Sequence, residues 1–215
     1  MITIKNFAVS PIEENTYIVS DQTGEAVIVD CGCFVEDEWS KIKEYICKNE
    51  LKPVHLVCTH MHFDHVMGNK LVFRDYGLKP EANDADLVLY KNMGRQLKMF
   101  MGVSSDEFVD MPPLARALRE ADVIPFGTHQ LEVLETPGHS PGGLCFYCKD
   151  ENVLFTGDTL FQCSIGRTDL EGGSYRQLIG SIRDKIAVLP GETAIYPGHG
   201  PSSILDSESR YNPYF

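Results

Sequence analysis

The chain lacks any apolar run of the ~18–20 uncharged residues needed to cross a bilayer, and its first residues, MITIKNFAVSPIEEN, lack the basic region and long apolar stretch of a signal peptide. It also lacks an excess of basic charge, since 19 Lys and Arg stand against 31 Asp and Glu, a formal net charge of -12. This charge repels phosphate backbones and anionic lipid surfaces. We therefore expect a cytoplasmic protein with no nucleic-acid partner and no membrane partner.

The chain also lacks the cysteine pattern of a disulfide-rich protein. Seven cysteines, an odd number, show no disulfide-scaffold spacing, which favours reduced thiols in a reducing compartment. Cys145 and Cys148 form a single CxxC inside the apolar segment GLCFYC. Without a second pair this motif is weak evidence for zinc, and we expect buried or incidental thiols.

With 215 residues, 43% of them hydrophobic, the chain is long enough to bury a full core, and we expect a single domain over 1–215. Short runs rich in β-branched and aromatic residues predict strands: ITIKNF, NTYIVS, AVIVD, VHLVCT, HQLEVLET, GLCFYC, NVLFT and TAIYP. Helical patterns lie between them at 36–48, 65–76 and 175–189. The interleaving indicates an α/β fold.

Residues 84–118 depart from this alternation and suggest an insertion or lid. The segment is rich in methionine and turn residues, and Phe100 and Phe108 lie within it. These side chains are candidates to line a substrate mouth. An ordinary small core beneath a long loop is the alternative, and it is the one we favour.

Histidine and aspartate follow four of the predicted strands at the point where each ends. The stretches are THMHFDH at 59–65, TPGH at 136–139, GD at 157–158 and GHG at 198–200. Loops from several strands converge at one edge of a layered α/β fold, where ligands bind. Five of the seven histidines occupy such positions, whereas His55 and His129 do not and are read as ordinary structural residues.

The number of candidate ligands exceeds the needs of one metal ion. A lone zinc ion takes four ligands, and a catalytic one takes only three from protein, but five imidazoles and two carboxylates meet here. The surplus predicts two divalent ions about 3.5–4 Å apart, bridged by a carboxylate and a hydroxide. Two cations so close together repel one another unless an anionic ligand lies between them, and Asp158 is the natural bridge.

These motifs, THxHxDH followed by GH, GD and GHG, resemble the signature of the metallo-β-lactamase superfamily. The resemblance spans His60 to His199 and implies a four-layer αββα sandwich with the metal site at one edge of its two sheets. It also implies the ligand sets: His60, His62 and His139 for the first metal, Asp64, His65 and His199 for the second, and Asp158 for both.

Two longer stretches, TPGHSPGG at 136–143 and FTGDTLFQCSIGRTDLEGG at 155–173, resemble the glyoxalase II branch, particularly its small single-domain members. The resemblance implies hydrolysis of an S-acyl thioester, such as an acyl-glutathione, by a metal-bridging hydroxide, with Asp64 and Asp158 as the catalytic carboxylates. Zinc is the expected metal, with iron or manganese as alternatives. The true β-lactamases of this superfamily commonly carry Cys at the position of Asp158 and lack Asp at position 64, so antibiotic hydrolysis is not expected.

Two further residues are candidates for supporting roles. Arg167 falls where the glyoxalase branch often has a basic residue that touches the substrate, although an Arg167–Asp169 ion pair is an equal alternative. Asp30 ends the apolar run AVIVD and is predicted to orient a metal-binding imidazole. Glyoxalase II proper has a C-terminal helical domain that helps to hold glutathione, and no matching segment follows His199 here, so the thiol portion of the substrate stays open.

Three other functions remain as alternatives. The persulfide dioxygenases share these motifs but use one iron, which His60, His139 and Asp158 would hold here. Nucleic-acid processing enzymes also occur in the superfamily, but the net charge argues against one. A non-catalytic metal-binding module is the third, and the presence of all seven ligand positions argues against it. The oligomeric state has no readable signal.

Overall fold

The structure, a computed structural model, describes residues 1–103 and 110–215, and it contains two six-stranded sheets. The strands in chain order are β1 (Thr3–Val9), β2 (Glu14–Ser20), β3 (Glu25–Val29), β4 (Lys52–Val57), β5 (Pro80–Ala82), β6 (Arg116–Ala117), β7 (Val123–Phe126), β8 (His129–Glu135), β9 (Leu144–Cys148), β10 (Val153–Gly157), β11 (Leu160–Phe161), β12 (Ser164–Ile165), β13 (Ala194–Pro197) and β14 (Ser203–Ile204). The helices are α1 (Glu36–Lys48), α2 (Phe63–Val66), α3 (Asn69–Tyr76), α4 (Leu87–Lys91), α5 (Met93–Met101), α6 (Tyr175–Ser181) and α7 (Leu205–Tyr211).

The first sheet has the order β1-β2-β3-β4-β5-β6 and the second has the order β14-β13-β10-β9-β8-β7, while β11 and β12 form a separate hairpin. In the first sheet, β1, β2 and β3 are antiparallel neighbours and the strands from β3 to β6 are parallel. In the second sheet, β10 and β13 are parallel and the other pairs are antiparallel. The parallel pairs direct the ends of β4, β10 and β13 toward the loops that carry histidine and aspartate.

The alternation of side chains along the strands builds the layers. In β3, Val27 and Val29 pack between the two sheets, whereas Ala26 and Ile28 face the outer helices. Because successive side chains point to opposite faces, a strand that is apolar throughout must be covered on both sides. Helix α1 covers the first sheet with Trp39, Ile42 and Ile46, and α6 covers the second with Leu178. The order of layers is helix, sheet, sheet, helix, which confirms the predicted αββα sandwich.

Helix α1 matches the predicted helix at 36–48, but the other two predicted helices differ from the structure. The pattern at 65–76 is two short helices, α2 and α3, which meet at Gly68. Gly68 lies so close to Cys31 that no side chain fits there, and its backbone N–H donates to the Cys31 carbonyl at 2.8 Å. The pattern at 175–189 begins as α6 and continues as a π-helical turn over Ile182–Ile186. Tertiary contacts therefore interrupt two patterns that local periodicity reads as continuous.

The sequence patterns missed the shortest strands. Strands β5 and β6 have three and two residues, and β7, with the sequence VIPF, contains a proline. Proline is tolerated in β7 because this strand forms an edge of the second sheet, where one side of the backbone has no partner strand. Edge pairings of this length leave too little periodicity for a sequence pattern to detect.

The segment 84–118 is only partly described. It begins with a 3₁₀ turn at Asp84–Asp86, continues through α4 and α5, and ends in β6, which pairs with β5 at the edge of the first sheet. Leu89, Met93 and Leu97 are buried. Phe108 lies outside the described residues. The C-terminal part of the segment therefore belongs to the sheet, and its helices pack against the body of the protein.

Within the two described ranges, no helix is both long and apolar enough to span a membrane.

Truncation of the core between the sheets tests this packing. Phe146 is fully buried there, so Phe146→Ala should lower the free energy of unfolding by about 3–5 kcal/mol through lost apolar burial and the cavity left behind. Phe73→Ala is the matched control, because this phenylalanine is 40% exposed and should lower stability by less than about 1 kcal/mol. Urea unfolding monitored by circular dichroism measures both values. Equal losses would contradict the assignment of Phe146 to the core.

Candidate metal centre

Four strand ends deliver the predicted ligands to one edge of the sandwich. His60 and His62 follow β4, and Asp64 and His65 lie in the short helix α2 directly after them. His139 follows β8, Asp158 follows β10, and His199 follows β13. The structure thus brings together all seven side chains that the sequence singled out.

The seven side chains form two groups. His60, His62 and His139 have ligand atoms within 4.8 Å of one another, and so do Asp64, His65 and His199. The distance from His62 Nδ1 to His139 Nε2 is 2.9 Å, and that from His199 Nε2 to Asp64 Oδ2 is 3.2 Å.

Asp158 lies between the two groups. Its Oδ2 is 3.5 Å from His139 Nε2 in the first group, and its Oδ1 is 3.3 Å from His65 Nε2 in the second. One carboxylate therefore presents one oxygen to each group, which is the arrangement of a ligand shared by two ions.

Several of these atoms are buried without a hydrogen-bond partner. Among the described residues, His60 Nε2, His65 Nε2 and Asp158 Oδ1 are all in this condition. A buried polar atom without a partner is costly, and three at one place indicate a missing binding partner. A divalent ion fits these atoms, since imidazole nitrogen and carboxylate oxygen are the ligands that zinc, iron and manganese accept.

The outward nitrogens of the histidine rings are held by the protein. His139 Nδ1 lies 2.8 Å from the Arg167 carbonyl, and His199 Nδ1 lies 3.1 Å from the Ile12 carbonyl. A carbonyl only accepts, so each of these nitrogens carries the proton. The opposite nitrogen, which faces the cluster, is then left with the lone pair that a metal requires.

The charge states of His60, His62 and Asp158 also suit cation binding. Burial, together with the neighbouring histidines, lowers the pKa of His60 well below its usual value, and burial beside His139 lowers the pKa of His62 to about 4. Both rings are therefore neutral near pH 7. Although burial alone would raise the pKa of Asp158, the adjacent His65 and His139 hold it well below its ordinary value. The carboxylate is thus ionised.

Asp30 contacts the metal-binding loop from behind. Its Oδ2 is 2.9 Å from His65 Nδ1, and its carboxylate accepts hydrogen bonds from the backbone N–H and the hydroxyl of Thr59, both at 2.7 Å. The residue has a φ of +57°, in the left-handed region that non-glycine residues rarely adopt. Strain of this kind persists only where surrounding contacts enforce it, and here the three hydrogen bonds do so.

The sequence analysis missed Asp86, which joins two ligand loops. Its carboxylate accepts hydrogen bonds from the Met61 backbone N–H at 3.1 Å, the Ser140 hydroxyl at 2.8 Å and the Gly142 backbone N–H at 2.6 Å. Met61 stands between His60 and His62, and Ser140 follows His139. Asp86 therefore holds the two loops that carry the first group at a fixed distance from each other. Nothing in the local sequence distinguishes Asp86 from Asp84 two residues earlier, which is exposed and pairs with Arg119.

A second missed residue, Glu14, lies behind His65. This glutamate is completely buried, and one of its oxygens accepts hydrogen bonds from the Thr16 hydroxyl at 2.7 Å and the Gly32 backbone N–H at 3.1 Å. Its other oxygen is 3.9 Å from His65 Nδ1. Burial raises the pKa of Glu14 well above its usual value. Glu14 lies at the start of β2, far from the motifs in the sequence, so no sequence pattern predicted this role.

An open cleft of about 320 Å³ lies above the cluster, and the side chains of Phe100, Met101, Leu170 and Arg167 form part of its walls. The Arg167 guanidinium makes two hydrogen bonds of 2.7 Å to the Asp169 carboxylate. The ion pair that the sequence offered as one alternative is therefore present, although the side chain also borders the cleft.

The remaining candidates lie away from the cluster. His55 pairs with Glu81, and His129 contacts Asp21 and Glu151. Cys145 packs in the outer core of the second sheet, whereas Cys148 packs between the sheets, so the two thiols point to opposite faces of β9. Residues three apart in a strand cannot ligate one ion from opposite faces.

Replacement of Asp86 tests its role in holding the ligand loops. Asp86→Ala leaves three donors unpaired and should lower the free energy of unfolding by about 2–4 kcal/mol. It should also weaken Zn²⁺ binding about tenfold or more, the usual effect of losing a group that orients metal ligands. Zn²⁺ titration against a chromophoric chelator measures the affinity. Asp84→Ala, in the same turn but exposed, is the control and should bind as the unmodified protein does; equal affinities for both variants would contradict the role of Asp86.

Comparisons with known proteins agree with this geometry. The metallo-beta-lactamase superfamily profile matches residues 10–199. The probable metallo-hydrolase YqgX of Bacillus subtilis is 34% identical over 98% of this chain and 96% of its own length, and the hydroxyacylglutathione hydrolase GloC of Haemophilus influenzae is 31% identical over 99% of this chain and 98% of its own.

Solved structures show the same likeness over the whole chain. The crystal structure of BLEG-1 B3 metallo-beta-lactamase superposes with a TM-score of 0.87 at 31% identity, covering 99% of each chain. The crystal structure of TTHA1623 in a di-iron-bound form superposes with a TM-score of 0.85 at 34% identity, covering 98% of this chain and 100% of the other. As its motifs predicted, the chain belongs to the metallo-beta-lactamase superfamily.

Proposed function

We propose that this protein is a metal-dependent hydrolase that holds two divalent ions and cleaves S-acyl thioesters of a small thiol, such as an acyl-glutathione. The observation that carries the proposal is the position of Asp158, whose two oxygens face two complete groups of ligands at 3.5 Å and 3.3 Å. The second group supplies the ligands that a second ion would need. Asp64, His65 and His199 form that group, and their ligand atoms converge as closely as those of the first.

The names of similar proteins support a thioester as the bond that is cleaved. GloC, which carries the name of a hydroxyacylglutathione hydrolase, aligns over almost the whole of this chain, and so does the probable metallo-hydrolase YqgX. The di-iron-bound structure supports two ions in this fold but leaves the metal open, so zinc is our first expectation and iron or manganese the alternatives.

The roles of the side chains follow from their positions. Bound divalent ions supply a water that ionises near pH 7 and a Lewis acid for the thioester carbonyl. Asp64 lies at the floor of the cleft, where its carboxylate can accept a hydrogen bond from the attacking water and orient it. Phe100, Met101 and Leu170 present apolar walls that suit an acyl chain and limit the access of bulk water. No serine or cysteine nucleophile is needed in this scheme.

A β-lactam amide is the second candidate substrate, because the crystal structure of BLEG-1 B3 metallo-beta-lactamase matches 99% of this chain. The persulfide dioxygenase alternative needs only His60, His139 and Asp158, which are all at the site, so metal content and oxygen uptake are what separate it from the hydrolase. Nucleic acid remains an unfavoured substrate because of the net charge of -12.

Elemental analysis of the purified protein, followed by three assays, tests the proposal. We expect close to two ions per chain and rapid hydrolysis of S-lactoylglutathione. If the protein holds two ions but hydrolyses only nitrocefin, then its substrate is a β-lactam and not a thioester. One iron per chain with oxygen uptake on glutathione persulfide would overturn the hydrolase in favour of the dioxygenase.

Loss of the shared carboxylate is a direct test of the paired ions. Asp158→Ala should reduce the metal content to one ion or fewer and bring thioester hydrolysis to background, since it removes the carboxylate that faces both groups and offsets the repulsion of two cations. Asp184→Ala, an exposed aspartate that pairs with Arg183, is the control and should keep both ions. An Asp158→Ala protein that retains two ions and full turnover would refute the scheme.

A further inference from the structure

The cleft above the metal cluster continues into a second compartment of about 260 Å³. The two share His62, Gln96, Phe100 and Leu170 in their walls, so the second space lies next to the metal cluster. Gln96 is held at this junction, because its amide donates to the Leu89 carbonyl at 2.7 Å and accepts from the Phe63 backbone N–H at 3.2 Å. The junction is thus fixed to α2, the helix that carries Asp64 and His65.

The second compartment contains one uncompensated positive charge. Arg95 on α5 lines it, together with Asp169 and Glu171 from the opposite loop. Asp169 is already neutralised by the two hydrogen bonds from Arg167. Within the described residues, by contrast, the Arg95 guanidinium has no hydrogen-bond or ion-pair partner. Of the two arginines at the cleft, Arg95 is the one available to a ligand.

We propose that the second compartment binds the thiol portion of the substrate and that Arg95 recognises a carboxylate on it. The proposal rests on the proposed thioester hydrolysis and deepens it, since it limits the substrate to esters of a thiol that carries a carboxylate. A guanidinium offers a planar pair of N–H donors that matches a carboxylate. This assigns to Arg95 the role that the sequence offered to Arg167, which the structure pairs with Asp169 through two N–H groups.

The other walls agree with a small thiol of this type. Leu89 and Met99 are apolar and suit the aliphatic stem between sulfur and carboxylate. Glu171 would repel a plain anion but suits an ammonium group, so a thiol with an amino-acid end matches both charges of the compartment.

Three thioesters of the same acid test the assignment. S-lactoylglutathione carries carboxylates on its thiol portion, S-lactoyl-N-acetylcysteamine carries no charge there, and lactoyl-coenzyme A carries phosphates instead. In Arg95→Gln we expect the ratio of kcat/KM for the glutathione ester to that for the cysteamine ester to fall about five- to tenfold, through a higher KM, because one exposed charged hydrogen-bond pair is lost. Lys98→Gln, one turn further along α5 and outside both compartments, removes the same charge and should leave the ratio unchanged.

Other outcomes of this assay would overturn the assignment. If the kcat/KM ratio falls equally in Arg95→Gln and Lys98→Gln, then the effect comes from the overall charge of the surface and not from a contact with Arg95. If Arg95→Gln lowers kcat/KM more for the coenzyme A ester than for the glutathione ester, then Arg95 recognises a phosphate and not a carboxylate.

Binding of S-methylglutathione, measured by calorimetry on the metal-loaded protein, separates the failure of this inference from the failure of the proposed function. Its sulfur is methylated, so it offers no thiolate to the metals and its affinity reports on the second compartment. We expect about five- to tenfold weaker binding in Arg95→Gln than in Lys98→Gln. That result without any thioester hydrolysis would refute the proposed function and leave the carboxylate site standing. Equal binding by the two variants, with thioester hydrolysis intact, would refute the site alone.

Discussion

The Asp158 carboxylate lies between two groups of metal-binding side chains, with one oxygen turned toward each, and the rest of the site is arranged around it. A buried carboxylate is unfavourable unless positive charge or hydrogen bonds compensate it. Here five imidazoles surround it, and several of the facing atoms have no hydrogen-bond partner among the described residues. The site is therefore a set of desolvated electron-pair donors, which is stable only if the surrounding protein holds it or cations fill it. This need for support explains why several buried side chains nearby hold the ligand loops in place.

The two sheets provide the rigid part of this arrangement. Strands β4, β8, β10 and β13 are anchored in a core that is apolar on both faces, and their ends define where the ligand loops begin. Buried aspartates then fix the loops to one another: Asp30 joins Thr59 to His65, and Asp86 joins the loop of Met61 to the loop of Ser140. Each accepts several hydrogen bonds, because a carboxylate group has two oxygens that can accept. The ligand loops are thus held in place by contacts within the tertiary structure.

The walls of the cleft, by contrast, belong to less regular segments. Helices α4 and α5 form one wall of the cleft, and the loop at 167–171 forms the other. Two arginines lie on these walls: Arg95, which has no partner among the described residues, and Arg167, which pairs with Asp169. A fold that keeps its metal ligands on strand ends and its substrate contacts on connecting segments can change substrate without disturbing the metal site.

The sequence by itself determined the α/β class, the αββα layers through the resemblance of the motifs, and the seven candidate ligands, because each of these depends on local patterns or on residues that follow a strand end. Helix α1 was predicted with its correct bounds, since its apolar stripe is uninterrupted. Only the tertiary structure decided the break at Gly68 and the roles of Asp86 and Glu14. Each of these depends on contacts between segments that are distant in the chain, such as the 54 positions between Asp86 and Ser140. No local periodicity records such contacts, because they arise only when the two sheets pack and bring their loops to one edge.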